Sequence, residues 1–379
     1  MENTHYRSVM VRAAVVRAFG APLQIEEITV DSPGPGEVLI DLRACAICHS
    51  DIMYADGAWG GELPAVFGHE AAGVIAEVGA GVNHVSVGDH VAVSLIRSCG
   101  GCHYCQRDLH VACCGTFAVD SRQPLHGSGG EPLGHGLATG AFAERAIVHG
   151  SQVVGIPDAL PWPVAALLGC GVITGVGAVL NTAKVEPGSH VVVVGCGGVG
   201  INAVQGAALA GAASVIAIDL DPTKRAEIGQ FGATASLDPL AEDTTERVIE
   251  LTGGRGADYV FVTVGSASAI ESSFDLLAPG GAAVIVGMTA NGVTVDLDST
   301  TLASRNQRVL GSKMGSGRVA VDIPKLVDLY HDGHLLLDEL VSRTYGLDDI
   351  NHAIDDARSG SARRNVIVFG PSDSRSEAN

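Results

Sequence analysis

A chain of 379 residues is too long for one ordinary hydrophobic core and suits two domains. With 46% hydrophobic and 17% charged residues it can bury a large interior, which sets disorder aside, and 50 glycines beside 4% aromatics point to a packed α/β protein of small and β-branched side chains. A net charge of −19 repels phosphate backbones and anionic lipid, so neither nucleic acid nor membrane is an expected partner.

Residues Met1–Arg12 are mixed in polarity, without the charged-then-apolar pattern of a leader. Apolar runs such as Val191–Val194 fall far short of the roughly 20 residues that span a bilayer, and a soluble cytoplasmic protein is expected. Up to about Ile173 the chain reads as short strands broken by Gly and Pro. Ala13–Val16, Glu37–Arg43, Gly73–Val78 and His90–Val93 are strand-like, and Pro33-Gly34-Pro35-Gly36 is a turn. This region is β-rich, with loops carrying its His and Cys residues.

Nine cysteines are an odd count, and without a secretory signal they argue against a disulfide framework. Cys99, Cys102, Cys105, Cys113 and Cys114 crowd together, which points to a metal. The spacing Cys99-x2-Cys102-x2-Cys105-x7-Cys113 puts four thiolates on one lobe (99–113), where they saturate a tetrahedral ion and leave no open position. That site is expected to be structural. Cys114 and His110 are close alternatives for the fourth ligand, and His103 is expected to be solvated.

From about Val185 the rhythm changes. The Val191–Val194 strand leads into Gly195-Cys196-Gly197-Gly198-Val199-Gly200 and an Ala-rich helix to about Ala210. Strand-like runs follow at Ser214–Ile218, Asp258–Val264, Ala283–Val286 and Arg308–Lys313, with helical patterns at Thr223–Phe231, Thr245–Leu251 and Ala267–Leu277. Such alternation predicts a parallel sheet covered on both faces. Helical patterns at Ile323–Tyr330 and Leu347–Ala357 precede a last strand, Asn365–Phe369, and a polar stretch, Pro371–Asn379, that reads as a frayed tail. The expected organisation is a catalytic domain over 1–172, a cofactor domain over 173–315, and a return to the catalytic domain over 316–379.

Gly195, Gly197 and Gly200 fit G-x-G-x-x-G directly after a strand and at a helix start, with Gly198 and Val199 inside the loop. The first Gly makes the tight turn, the second lets backbone approach a pyrophosphate, and the third lets helix pack on strand. Asp219 closes the next strand, about 20 residues on, where an acid holds ribose hydroxyls. Its charge repels a 2′-phosphate and so favours NAD over NADP. Lys224 is either a contact to the adenosine ribose or a plain surface lysine.

A second metal set is scattered: Cys48 in Cys48-His49-Ser50-Asp51, His69 in Gly68-His69-Glu70, and Cys170 in Leu168-Gly169-Cys170-Gly171. Two thiolates and one imidazole leave a tetrahedral shell incomplete, with room for water or an alcohol oxygen. Each residue alone has a plainer reading, a buried core Cys170 above all. Their joint occurrence carries the argument.

These motifs, with Gly68-His69-Glu70-Ala71-Ala72-Gly73, the lobe and Gly195–Gly200, resemble the zinc-containing alcohol dehydrogenases of the medium-chain dehydrogenase/reductase superfamily, from about Ala13 to Phe369. A Cys2His set is the catalytic donor set of that family, so the match is one of pattern. The resemblance implies an α/β protein with a GroES-like β-rich catalytic domain and a Rossmann doubly wound parallel-sheet cofactor domain. It implies two Zn2+ per chain, one catalytic and one structural. The stretch from Cys99 to Phe142 resembles the dimeric, class III-like branch, which implies a homodimer.

The reaction implied is NAD-dependent oxidation of a primary alcohol to its aldehyde, and the reverse, by hydride transfer from a zinc-bound alkoxide. Ser50 would pass the proton toward the cofactor ribose. Asp51 would accept the N–H of the other ring nitrogen of His69 and fix its tautomer, and Glu70 resembles the acid that transiently approaches the metal. His49 matches a position on the pyrophosphate. Arg364 matches a C-terminal Arg on the cofactor phosphates, with Arg363 the adjacent alternative. One position departs: Met53 stands where some relatives carry a His that completes the proton path, so His49 or a water chain would serve instead.

By position relative to the ligands, Trp59, Leu95, Phe117, Phe142 and Met288 line the substrate pocket. An apolar set of this kind holds an alkyl or aryl alcohol by burial, at about 25 cal/mol per Å². The stretch Leu168–Asp219 also resembles the class that oxidises formaldehyde–thiol adducts. Glutathione-linked members use an acid and an Arg where this chain has Trp59 and Phe117, which disfavours glutathione and leaves a mycothiol-type adduct as the alternative. A distant alternative is a non-catalytic or quinone-reductase-like nucleotide binder. The relatives resembling quinone reductases lack the zinc ligands that are intact here.

Overall fold

The strand Glu37–Ala46 organises the first half of the structure, a computed structural model that describes residues 7–360 and 362–370. Its apolar run is buried on both faces, and it pairs antiparallel with Glu70–Val78 on one side and Arg364–Val368 on the other. His90–Val93 and Val153–Gly155 extend this sheet beyond Glu70–Val78, and Val341–Tyr345 extends it beyond Arg364–Val368. A second sheet, built round Ser8–Val16 and Gln24–Asp31, shares its core, in which Val15, Ile28, Ile40, Ile75, Phe142 and Ile147 are at most 1% exposed. Strand register brings distant residues together: Ala46 faces Glu70 on one side and Val366 on the other. Cys48, Glu70 and Arg364 therefore converge just past the end of the central strand, though they are far apart in sequence.

The expectation of strands and ligand-bearing loops up to Ile173 is corrected at two points. His49–Ala55 is a helix with Cys48 as its N-cap. Trp162–Ala183 winds as one helical stretch of 22 residues, in alternating α and π segments. The second also corrects the expectation that no apolar run approaches a membrane span. Its mean hydropathy of 2.0 suffices for one, and 89% of that window is buried inside the fold, as in a core helix. Its glycines and β-branched residues weaken helix propensity, so up to about Ile173 the sequence reads as short strands broken by Gly and Pro; packing overrides that preference.

The other unit comprises Gly171–Gly317 and Leu329–Leu336. Its parallel sheet, among the described residues, runs in the order Ala235–Leu237, Ser214–Ile218, His190–Val194, Ala257–Val262, Leu277–Ile285 and Arg308–Gly311. In chain order that is third, second, first, fourth, fifth, sixth, the doubly wound topology that places ligands at the carboxyl ends of the strands beside the first. The α/β class, with a β-rich unit and a doubly wound parallel sheet, is thus as expected. Leu329–Leu336 differs from the reading of an unbroken return after 316: Gln205 Oε1 accepts the Leu336 N–H at 2.7 Å and ties the segment to the parallel-sheet unit. The tail Pro371–Asn379 lies outside the described residues.

Candidate functional site

Cys48, His69, Glu70 and Cys170 bring one ligand atom each within 4.8 Å of one another, and all four are buried. Three local devices place them. Cys48 caps a helix. His69 follows Gly68, whose φ of +91° and missing Cβ admit the Phe142 N–H, which would stand 2.6 Å from a side chain there. Cys170 rides the π turn Leu168–Val172, and Gly169 lets that turn press against Val93, whose carbonyl would lie 2.1 Å from a Cβ. Sequence reasoning gives these two glycines no role, although a Gly immediately before a ligand is the signal that carries it.

Asp51 ties the set together. Its Oδ1 accepts the Gly68 N–H and meets His69 Nδ1, both at 2.9 Å, and its Oδ2 accepts the Cys48 N–H at 3.2 Å. With Nδ1 committed to Asp51, Nε2 of His69 faces the sulfurs, 3.3 Å from Cys170 Sγ. A hydrogen bond from Cys170 holds Cys48 well below the usual thiol range against the cost of burial, with His69 and Arg364 adding to the effect. The same bond, with burial, drives Cys170 up. Burial lowers His69, but Asp51 and Cys48 outweigh it and hold the ring above its ordinary value.

Glu70 is pushed up to about 8 by burial, with Arg364 pulling the other way. Arg364 Nη2 stands 3.3 Å from Glu70 Oε1, while neither Glu70 oxygen makes a hydrogen bond. Thiolate, imidazole and an orphaned carboxylate converging in a buried space are a donor set that fits a zinc ion.

The lobe is different in make. Cys99, Cys102, Cys105 and Cys113 also lie within 4.8 Å of one another, and Cys114 is exposed outside the group. Main-chain N–H groups of the lobe point at its sulfurs: Cys102 N to Cys99 at 3.3 Å, Cys105 N to Cys102 at 3.5 Å, and Cys99 N and Gly115 N to Cys113 at 3.4 Å. Bonds of this kind from Cys105 and Cys114 pull Cys102 down to about 5. Four sulfurs fit a closed tetrahedral zinc site. His103 is exposed and bonded to Arg107 at 2.9 Å.

In the other unit, Gly195 has φ +90°, and a Cβ on Gly200 would lie 1.8 Å from Gly195 O. Gly197 caps the helix Gly198–Leu209 and has nothing within 4 Å of where a Cβ would be, which is the open face that backbone offers to a phosphate. Asp219 Oδ2 accepts the Cys196 N–H at 2.6 Å, so the acid is fastened to the glycine loop itself. This set fits a dinucleotide. Lys224 is half-buried on the following helix.

His49 is exposed at the first turn of its helix, while Ser50 and Met53 are half-buried on it. Trp59 meets Tyr54 edge-on at 5.1 Å, and Leu95 is half-buried. Phe142 is a fully buried core residue at 1% exposure. The Phe117 ring sits between His149, edge-on at 4.8 Å, and the Arg97 guanidinium, 4.4 Å from its centroid, at the root of the lobe. Met288 is 64% exposed on the nucleotide unit. Arg363 donates to the Glu339 carbonyl at 2.9 Å, whereas Arg364 turns inward to Glu70, a pairing that sequence reasoning missed.

A family described as alcohol dehydrogenase GroES-like domain matches residues 34–158, and one described as zinc-binding dehydrogenase matches residues 198–332. The chain is 40% identical over 366 residues to the NDMA-dependent alcohol dehydrogenase of Amycolatopsis methanolica, covering 94% of this chain and 98% of that protein. It is 33% identical over 374 residues to the S-(hydroxymethyl)glutathione dehydrogenase of Paracoccus denitrificans, covering 94% and 99%. Among solved structures, an alcohol dehydrogenase zinc-binding domain protein from Burkholderia ambifaria matches with TM-score 0.91 and 33% identity, over 96% of this chain and 100% of that one. The benzyl alcohol dehydrogenase of Acinetobacter calcoaceticus matches with TM-score 0.89 and 31% identity, over the same 96% and 100%.

Proposed function

This chain belongs to the zinc-dependent alcohol dehydrogenases of the medium-chain dehydrogenase family, and from that premise we propose that it oxidises primary alcohols with NAD, using two zinc ions per chain. The observation that carries this reading is the incomplete Cys48–His69–Cys170 donor set, in a chain that also holds a sulfur-saturated lobe and a glycine loop fastened to Asp219. Cys48, His69 and Cys170 would hold the zinc, which would supply Lewis acidity toward an alcohol oxygen, and the glycine loop with Asp219 would hold NAD as the hydride acceptor.

The chain's own residues do the rest. Ser50, two residues past Cys48, is the hydroxyl that carries the alcohol's proton away, and exposed His49 or water takes it onward where Met53 offers no acceptor. Asp51 holds His69 in the tautomer that presents Nε2. Arg364 supplies positive charge beside Cys48, Cys170 and Glu70. Likeness to the benzyl alcohol dehydrogenase, with half-buried Trp59 and Leu95, supports an apolar pocket for alkyl or aryl alcohols.

A formaldehyde–thiol adduct is the second reading, favoured by the likeness to the Paracoccus denitrificans enzyme, with Trp59 and Phe117 against glutathione as the thiol. A homodimer is part of the proposal, supported by Arg308–Gly311 at the outer edge of the parallel sheet, where Val309 is 43% exposed. A reducing, cytoplasmic setting fits nine cysteines without a disulfide among the described residues.

The test is a panel of primary alcohols and formaldehyde–thiol adducts with NAD or NADP, with and without NDMA, followed at the nicotinamide absorbance. Turnover of alcohols with NAD is expected. A zinc-loaded chain that oxidises no alcohol on the panel overturns the reading.

A further inference from the structure

Arg225 stands on the helix Pro222–Glu227, just after the turn that carries Asp219, and its guanidinium is directed back at that turn. Nη1 donates to the carbonyls of Asp219 and Leu220, both at 2.7 Å, and Nη2 pairs with Asp238 Oδ2 at 2.6 Å. The side chain is only 17% exposed. The same Asp219 is held at its other end, where Oδ2 accepts the Cys196 N–H at 2.6 Å and Oδ1 the Asp221 N–H at 2.9 Å. Asp219 is thus clamped through its main chain by Arg225 and through its carboxylate by the glycine loop.

We propose that Arg225 is a positioning residue that sets cofactor choice: it fixes the turn so that the Asp219 carboxylate faces an adenosine ribose, and its pairing with Asp238 keeps its charge from attracting a 2′-phosphate. The inference rests on the reading of this loop as an NAD site. A free Arg at this end of a strand is the group that accommodates NADP. Here the cation is matched by Asp238, with Asp219 and Asp221 nearby and Glu242 bonded to the Asp238 N–H at 3.1 Å. Lys224 is the other cation on the helix. The planar fork serves the two carbonyls from one nitrogen and the carboxylate from the other, a spacing that the single nitrogen of an ammonium does not reproduce.

The experiment measures KM and kcat for NAD and for NADP, with Kd for each by titration, in the zinc-loaded enzyme. Arg225→Ala is expected to raise the NAD KM about tenfold, as for the loss of charged hydrogen bonds, with kcat within about twofold and the preference for NAD narrowed. Arg225→Lys should recover part of the NAD affinity. Asp238→Asn leaves both carbonyls bonded, so NAD kinetics should hardly change while NADP kcat/KM rises several-fold; it also decides the matter if Arg225→Ala fails to fold. Arg255→Ala, an exposed change in the same unit, serves as the control.

A purely structural role would lower Tm and leave the NAD:NADP ratio of each variant at the wild-type value, and that result overturns the proposal. A wild type that binds NADP as well as NAD instead overturns the NAD reading, and the proposal with it.

Discussion

In the lobe, Cys99, Cys102, Cys105 and Cys113 come from one short run of chain, and the main-chain N–H groups of that run point at the sulfurs. In the buried set, Cys48, His69 and Cys170 come from a helix cap, a strand end and a π turn, and other ionisable side chains stabilise them. The two sets share sulfur chemistry and differ in what surrounds it. In the lobe, main-chain N–H groups lower Cys99 and Cys102 while burial raises Cys105 to about 12, and in the proposed reading a metal held by its four sulfurs adds order. The buried set has Asp51 and Arg364 as its charged partners, and it has fewer sulfur donors than a tetrahedral ion can take. That difference is the basis for proposing stability as the work of one cluster and chemistry as that of the other.

The largest effect that would break this division is at Ser50. Ser50→Ala leaves every metal donor in place, so kcat/KM should drop by about 10²–10⁴-fold, the worth of acid–base transfer, with zinc content unchanged. Met53→His should raise alcohol oxidation at moderately acid pH in the wild-type background and do nothing beside Ser50→Ala. A fully active Ser50→Ala enzyme removes Ser50 from the proton path.

Next in size is Asp51→Asn, which exchanges a carboxylate that accepts three bonds for an amide with one acceptor atom. Zinc affinity of the buried site should fall about 10–100-fold, measured by competition with a chelator, while the lobe keeps its ion. Equal loss from both sites would erase the contrast.

Acid separates the metal sites from the fold beneath them. His135 donates Nε2–H to the Thr139 carbonyl at 3.0 Å, and burial pulls it down to about 4. Its folded value lies below the unfolded value of about 6.5, so the unfolded chain takes the proton first. Stability from this group should be intact above that pH, decline as pH falls toward 4, and level off below. Tm against pH for His135→Gln should be flatter in that window than for wild type; parallel curves would remove His135 as a cause. The smallest effect is expected at exposed Cys114. Cys114→Ser should stay within about 0.5 kcal/mol of wild type and keep its zinc count, and a lost ion would show that Cys114 belongs to the lobe's ligands.

The parallel sheet was legible because its strands are short Val- and Ile-rich runs between helical patterns: Ser214–Ile218 is found where the sequence puts it, and His190–Val194 within one residue. The helix Trp162–Ala183 was not, because glycines disguise it, and close packing explains Gly169, Gly175 and Gly177: a Cβ on Gly175 would lie 2.4 Å from Val199 O. The metal donors could be grouped from motifs alone. The pairing of Arg364 with Glu70 could not, since it arises from two strands meeting Ala46 from opposite sides, a fact of register rather than of local pattern.

The division of labour is tested most directly by counting zinc per chain in wild type, Cys105→Ala and His69→Ala, with Tm and turnover measured on the same samples. Wild type should hold two ions. Cys105→Ala should lose one and melt lower, by about 2–4 °C for each kcal/mol lost, while its folded fraction still turns over alcohol. His69→Ala should lose one ion and its turnover and still fold. A Cys105→Ala chain that melts like wild type but is inactive, or a His69→Ala chain that remains active, would contradict the assignment.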